Sequence, residues 1–176
     1  MGFSSSWLAV RGKSSKDVLA DLGLVETSSR EWMPESEIVS TTPSSGWFVV
    51  FFNEVSPEAL KPEALKLISS NAELVTCQIE EHAMVSAASE WRNAKELWYV
   101  AHDAEDGLTN LDSSGELPTG FADIRDRQER KRQTTRDVDY VFEVPIELAA
   151  SIVGFRHDDS FDEAASEAFT VLARRS

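Results

Sequence analysis

Apolar positions along the chain follow two periods. Residues 47–52 (WFVVFF) are apolar at both parities, the pattern of a central strand covered on both faces. Residues 6–11 (SWLAVR) read as a second strand, ended by Gly12. Within 74–81, Val75, Cys77 and Ile79 alternate with polar residues. Strands over 83–91 and 96–102 follow, joined by the turn Arg92-Asn93-Ala94. Alternation with short connections predicts an antiparallel meander. Turns at Gly107 and Gly115 bracket a further short strand around 108–111, and 24–42 reads as an extended connection holding one or two short strands.

The helical period appears in five places. Ser14 or Ser15 caps a helix over 16–22 with Val18, Leu19 and Leu22 on one face, and Gly23 stops it. Ser56-Pro57 starts a helical segment that Pro62 restarts, with Leu60, Ala64, Leu67 and Ile68 as its apolar stripe. Pro118 opens another, with Phe121 and Ile124 facing inward, and Tyr140 to Val144 is an extended lead-in or strand. Residues 145–153 form a short helix closed by Gly154, with Phe155 packed behind it. The last segment also reads as a helix. Ser160 caps it, Asp162 and Glu163 lie in its first turn and Arg174 and Arg175 in its last, and Phe161, Ala165, Ala168, Phe169 and Leu172 share a side. The expected class is α+β, a mainly antiparallel sheet (meander) with helices packed on one face, in a single domain over 1–176.

Composition narrows the function. The 176 residues carry 17 Lys plus Arg against 31 Asp plus Glu, a net charge of -14. A polyanion is repelled by nucleic acid and by anionic membranes, so neither is an expected partner. The longest apolar run is far short of the roughly 20 residues of a membrane span, and the N-terminus lacks the order of a signal peptide. The lone Cys77 excludes an internal disulfide and fits a reducing compartment, so a cytoplasmic location is expected.

All three histidines stand beside carboxylates: Glu80-Glu81-His82, His102-Asp103 and His157-Asp158-Asp159. His82 and His102 end strands of the meander. Together with Glu81 or Asp103 they would suffice as ligands for zinc, manganese or ferrous iron, or as a general acid and base. No ligand pair has diagnostic spacing, and strand-end histidines satisfied by local partners explain the same residues. No cofactor is expected. Gly12-Lys13-Ser14 has the local context of a phosphate loop, but Trp7 stands where its first glycine belongs. Cys77 points into the core, Ser86 and Ser89 lack a nucleophile elbow, and 103–107 resembles a calcium loop in composition only.

Residues 125–136 (RDRQERKRQTTR) depart most from the average. Arg125, Arg127, Arg130, Lys131, Arg132 and Arg136 face only Asp126 and Glu129, so this segment is +4 and the remainder -18. It reads as a solvated helix end or loop, or as a contact for an acidic partner or a second copy. Of five tryptophans, Trp47 and Trp98 read as core. Trp32, in a polar connection, and Trp91, beside Arg92, are candidate interface anchors.

Gly2-Phe3-Ser4-Ser5-Ser6-Trp7, Glu81-His82 with Ser89-Glu90-Trp91-Arg92, Ala101-His102-Asp103 and Gly154-Phe155-Arg156-His157-Asp158 resemble segments of a family of small, acidic, uncharacterised bacterial proteins. The resemblance implies a bacterial, cytoplasmic protein and supplies no catalytic residues. In style the chain is also similar to immunity proteins of bacterial toxin systems. The leading expectation is a protein-binding module, an immunity-type inhibitor of a basic partner protein. The alternative is a small metal-dependent or acid/base enzyme using His82, His102 and Asp103. A third reading is a homo-oligomer subunit whose basic segment docks on an acidic face.

Overall fold

Residues at both parities of Ser4–Arg11 (β1) are buried, from Ser5 through Val10, and so is every residue of Phe48–Phe52 (β4). These two strands pair antiparallel at the middle of the sheet. The computed structural model describes residues 2–135, 138–159 and 169–176. Its other strands are β2 (Leu24–Glu31), β3 (Ile38–Thr41), β5 (Glu73–Glu80), β6 (Val85–Arg92), β7 (Lys95–Asp103), β8 (Asp112–Gly115) and β9 (Phe169–Arg174). They form one nine-stranded sheet in the order β2-β9-β3-β4-β1-β5-β6-β7-β8, with every pairing antiparallel. The class is therefore the expected α+β with a mainly antiparallel sheet, and β5, β6 and β7 are the expected meander.

The helices are α1 (Ser15–Leu22), α2 (Pro62–Ile68), α3 (Phe121–Thr134) and α4 (Glu143–Val153). Local signals set most of their ends. Ser14 accepts from the Asp17 N–H, Gly23 and Gly154 close α1 and α4 in the left-handed region, and Pro62 starts α2 after a 3-10 turn over Glu58–Leu60. Among the described residues no helix is long and apolar enough to cross a membrane.

The helices divide between the two faces, where the sequence pattern puts them on one. Trp7 and Ala9 of β1 belong to a core shared with Phe121 and Ile124 of α3 and Val144, Leu148, Ala149 and Val153 of α4. Leu8 and Val10 point the other way, into a core with Val18 and Leu19 of α1 and Leu65 and Ile68 of α2. Because alternate strand residues face opposite sides, an all-apolar centre needs a cover on each side.

Four local expectations are corrected. The strand expected around 108–111 forms at β8, because the Asn110 carbonyl is bound by His102 and holds that stretch as a loop. Leu67 is exposed and Leu65 takes its place against the core. Residues 141–142 form a turn, and α4 begins at Glu143. Phe169 and Leu172 lie on a strand, β9, that fills the gap between β2 and β3. A spacing of three puts two residues on one side of a helix but on opposite faces of a strand, and these two enter opposite cores. The remainder of that expected helix, 160–168 with Ser160, Phe161, Asp162, Glu163, Ala165 and Ala168, lies outside the described residues.

Candidate functional site

A groove of about 810 Å³ runs between the turn after β5 and the α3–α4 pair. The turn contributes Glu81, His82 and Met84, with Gly2 beside them. Gly2 is packed so closely that a Cβ there would lie 3.1 Å from the Glu81 Cβ and 3.2 Å from the His82 ring. From α3 come Gln128 and Lys131, and from the lead-in to α4 come Val138, Asp139, Tyr140 and Phe142. Glu143 and Glu147 of α4 and Arg156 complete the lining. Four carboxylates thus face two cations.

Behind Asp139 lies His102, with no exposed side-chain surface. Its Nδ1 is 2.6 Å from the Asn110 carbonyl and its Nε2 is 2.7 Å from Asp139 Oδ2. A carbonyl only accepts, so Nδ1 carries a proton, and a further proton lies between Nε2 and the carboxylate. Asp139 Oδ1 accepts from the backbone N–H groups of Val141 and Phe142. The pair therefore ties β7, the loop at Asn110 and the start of α4 together. Both ring nitrogens are engaged, which leaves His102 no free position from which to take a substrate proton.

At the other end of the groove Arg156 donates to Glu143 at 2.7 Å and to both oxygens of Asp158 at 2.5 and 3.1 Å. Burial works against its charge, but Asp158 and Glu143 hold Arg156 protonated well above the usual arginine range. Next to it His157 is buried, and neither ring nitrogen has a hydrogen-bond partner among the described residues. Its Nε2 is 3.9 Å from Glu81 and its Nδ1 is 3.8 Å from Asp158, while Phe3 meets the ring edge-on. Burial holds the imidazolium below the ordinary histidine range, with Arg156 acting the same way and Asp158, Glu81 and Glu143 opposing it. Cys77 is buried, and burial pushes its thiol far up, so it is inert.

The residues singled out from the sequence are only partly brought together. His82 and Glu81 line the groove, and His102 stands behind its wall. Asp103 is elsewhere: adjacent strand residues point to opposite faces, and its carboxylate caps the 3-10 turn Ala104–Asp106 by accepting from Glu105. The expected metal set of His82, His102, Glu81 and Asp103 is not assembled, and among the described residues no three His, Cys, Asp or Glu side chains converge to hold a cation. Trp91 is corrected from interface anchor to core; it is 6% exposed and donates to Ser89. Arg92 pairs with Glu73 and Glu90 at the hairpin end. Trp32 is exposed, with exposed Met33 beside it. Trp47 and Trp98 are core, as expected.

The described part of the basic segment lies on α3 with its cations spread around the helix, and three of them are paired within the protein. Arg125 pairs with Asp126, Arg127 with Glu147 and Arg132 with Glu129. The Lys131 ammonium lies 6.0 Å from the centre of the Tyr140 ring, and Arg130 is exposed. Arg136 lies outside the described residues.

Sequence reasoning missed Asp139, Gln128, Glu143 and Glu147. Asp139 carried one legible signal, an aspartate whose side chain can take the N–H groups two and three residues on and so set a turn. The others are ordinary helix-surface residue types until α3 and α4 are docked. No protein-family model, curated protein or solved structure matches this chain.

Proposed function

We propose that this chain is a protein-binding module that receives a basic partner protein in the groove between the β5–β6 turn and the α3–α4 pair. The observation that carries this reading is the charge of that lining. Glu81, Asp139, Glu143 and Glu147 outnumber Lys131 and Arg156 there, and Asp158 adds a further carboxylate against Arg156. The field of a -14 chain adds to it by speeding and orienting the approach of a cationic surface. Engagement of both His102 nitrogens argues against the acid/base alternative. An inhibitor of the immunity type, acting in a bacterial cytoplasm on a basic toxin, is the particular form we propose. Exposed Trp32 and Met33 supply a second contact of the aromatic and apolar kind that anchors interfaces.

The test is capture from a lysate of the source cell at moderate salt, using the wild-type chain and a Glu81→Lys/Glu147→Lys variant checked for folding by circular dichroism. A stoichiometric basic protein retained by the wild type and lost with the variant supports the module. Equal retention by both, or retention of no basic protein, overturns it.

A further inference from the structure

We infer that the groove holds a subsite for an arginine guanidinium, built around the side-chain oxygen of Gln128. This rests on the binding-module reading and names what the basic partner inserts. Gln128 lines the groove and is 2% exposed. Its Nε2 donates to Glu147 Oε2 at 2.6 Å, and Glu147 Oε1 accepts from Arg127 at 2.7 Å. A carboxylate cannot donate, so this contact fixes which end of the amide is nitrogen and leaves Oε1 on the other side. That oxygen is buried and has no hydrogen-bond partner among the described residues. An unpaired buried acceptor carries a free-energy cost, and a ligand N–H would remove it.

The surroundings select the kind of N–H. The groove lining holds four carboxylates, Glu81, Asp139, Glu143 and Glu147, against Lys131 and Arg156, an excess that favours a cation over a neutral amide. Tyr140 also lines the groove, with the Lys131 ammonium 6.0 Å from its ring centre, and an aromatic ring attracts a cation that displaces that ammonium. A guanidinium suits this set better than an ammonium. It is planar, stacks on aromatic rings, and offers five N–H donors in a fixed fork, enough to meet an amide oxygen and a carboxylate together.

The experiment titrates the full chain with a glycine–arginine repeat peptide and with lysine and citrulline counterparts of equal length. Calorimetry gives affinity, and the Gln128 side-chain amide signal is followed by nitrogen-edited NMR. The expected result is a preference for arginine over lysine of about tenfold, weak citrulline binding, and a shift of the Gln128 signal by the arginine peptide alone. Gln128→Met keeps the size of the side chain and removes the acceptor, and it should bring the arginine preference down to about twofold or less. Equal binding of arginine and lysine peptides by the wild type, with an unmoved Gln128 signal, overturns the guanidinium subsite and leaves the module reading standing. Binding of neither cationic peptide overturns the module reading as well. The wild-type comparison decides the matter even if Gln128→Met does not fold.

Discussion

Asp139 and His102, 37 positions apart, are joined by a 2.7 Å contact whose carboxylate also takes the N–H groups of Val141 and Phe142. With Asp139→Ala, His102 Nε2 and two backbone donors lose their acceptor, and the expected loss is about 3–5 kcal/mol, the range for breaking a buried charged pair. Asp139→Asn should cost far less, about 1 kcal/mol. Its oxygen can serve the backbone while its NH2 donates to a neutral His102 Nε2. Urea denaturation of both variants checks this. Equal losses would show that the contact does not bear on stability through its hydrogen bonds.

His157 gives stability a dependence on mildly acidic pH. The unfolded chain takes a proton near the ordinary value of about 6.5, whereas the folded chain, with His157 buried, takes it only at lower pH. The unfolded state therefore binds more protons in that interval, and stability declines as pH falls through it. The drop in melting temperature between about pH 7.5 and 5.5 should flatten in His157→Phe, within the histidine range. Asp158 acts in a lower window. Burial raises its carboxyl, but hydrogen bonding to Arg156 and the nearby His157 and Arg156 charges bring it below the usual value, so its contribution is lost only as pH falls through the carboxylate range. An unchanged slope in His157→Phe would remove His157 as the source.

Two tryptophans should part company under substitution. Trp91→Ala empties a core site shared with Leu74 and Phe48 and should cost about 3–5 kcal/mol. Trp32→Ala removes an exposed side chain and should change stability by less than about 0.5 kcal/mol. If Trp32 anchors the partner, its variant shows faster dissociation by surface plasmon resonance at unchanged melting temperature. A stable Trp91→Ala would contradict its place in the core.

Ala94 has a φ of 64° in the two-residue turn between Arg92 and Lys95, with Asn93 at 50°. Both central residues of such a hairpin turn are left-handed, a conformation that costs an alanine about 1–2 kcal/mol. Glycine removes that strain but orders a freer chain, so Ala94→Gly should gain about 0.5–1 kcal/mol. Chemical denaturation measures it, and a loss of stability would show the turn is not strained.

Local chemistry made much of this fold legible. Ser14 and Gly23 bound α1, Pro62 starts α2, Gly154 closes α4, and the doubly apolar 47–52 run announces a central strand, because each depends on a few adjacent residues. Where a pattern fits two periods, distant partners decide. Phe169 and Leu172 suit a helix, but β2 and β3 leave a hydrogen-bonding gap between them, and a strand fills it. The site was less legible for the same reason. His82 and His102 stand out in the sequence, yet the groove's character depends on Asp139, Gln128, Glu143 and Glu147. Their roles arise only when α3 docks on α4 and the lead-in at Asp139 meets β7. Charge, capping and periodicity are short-range properties of the chain. Which acceptor meets which donor across tens of residues is settled by packing both faces of one sheet.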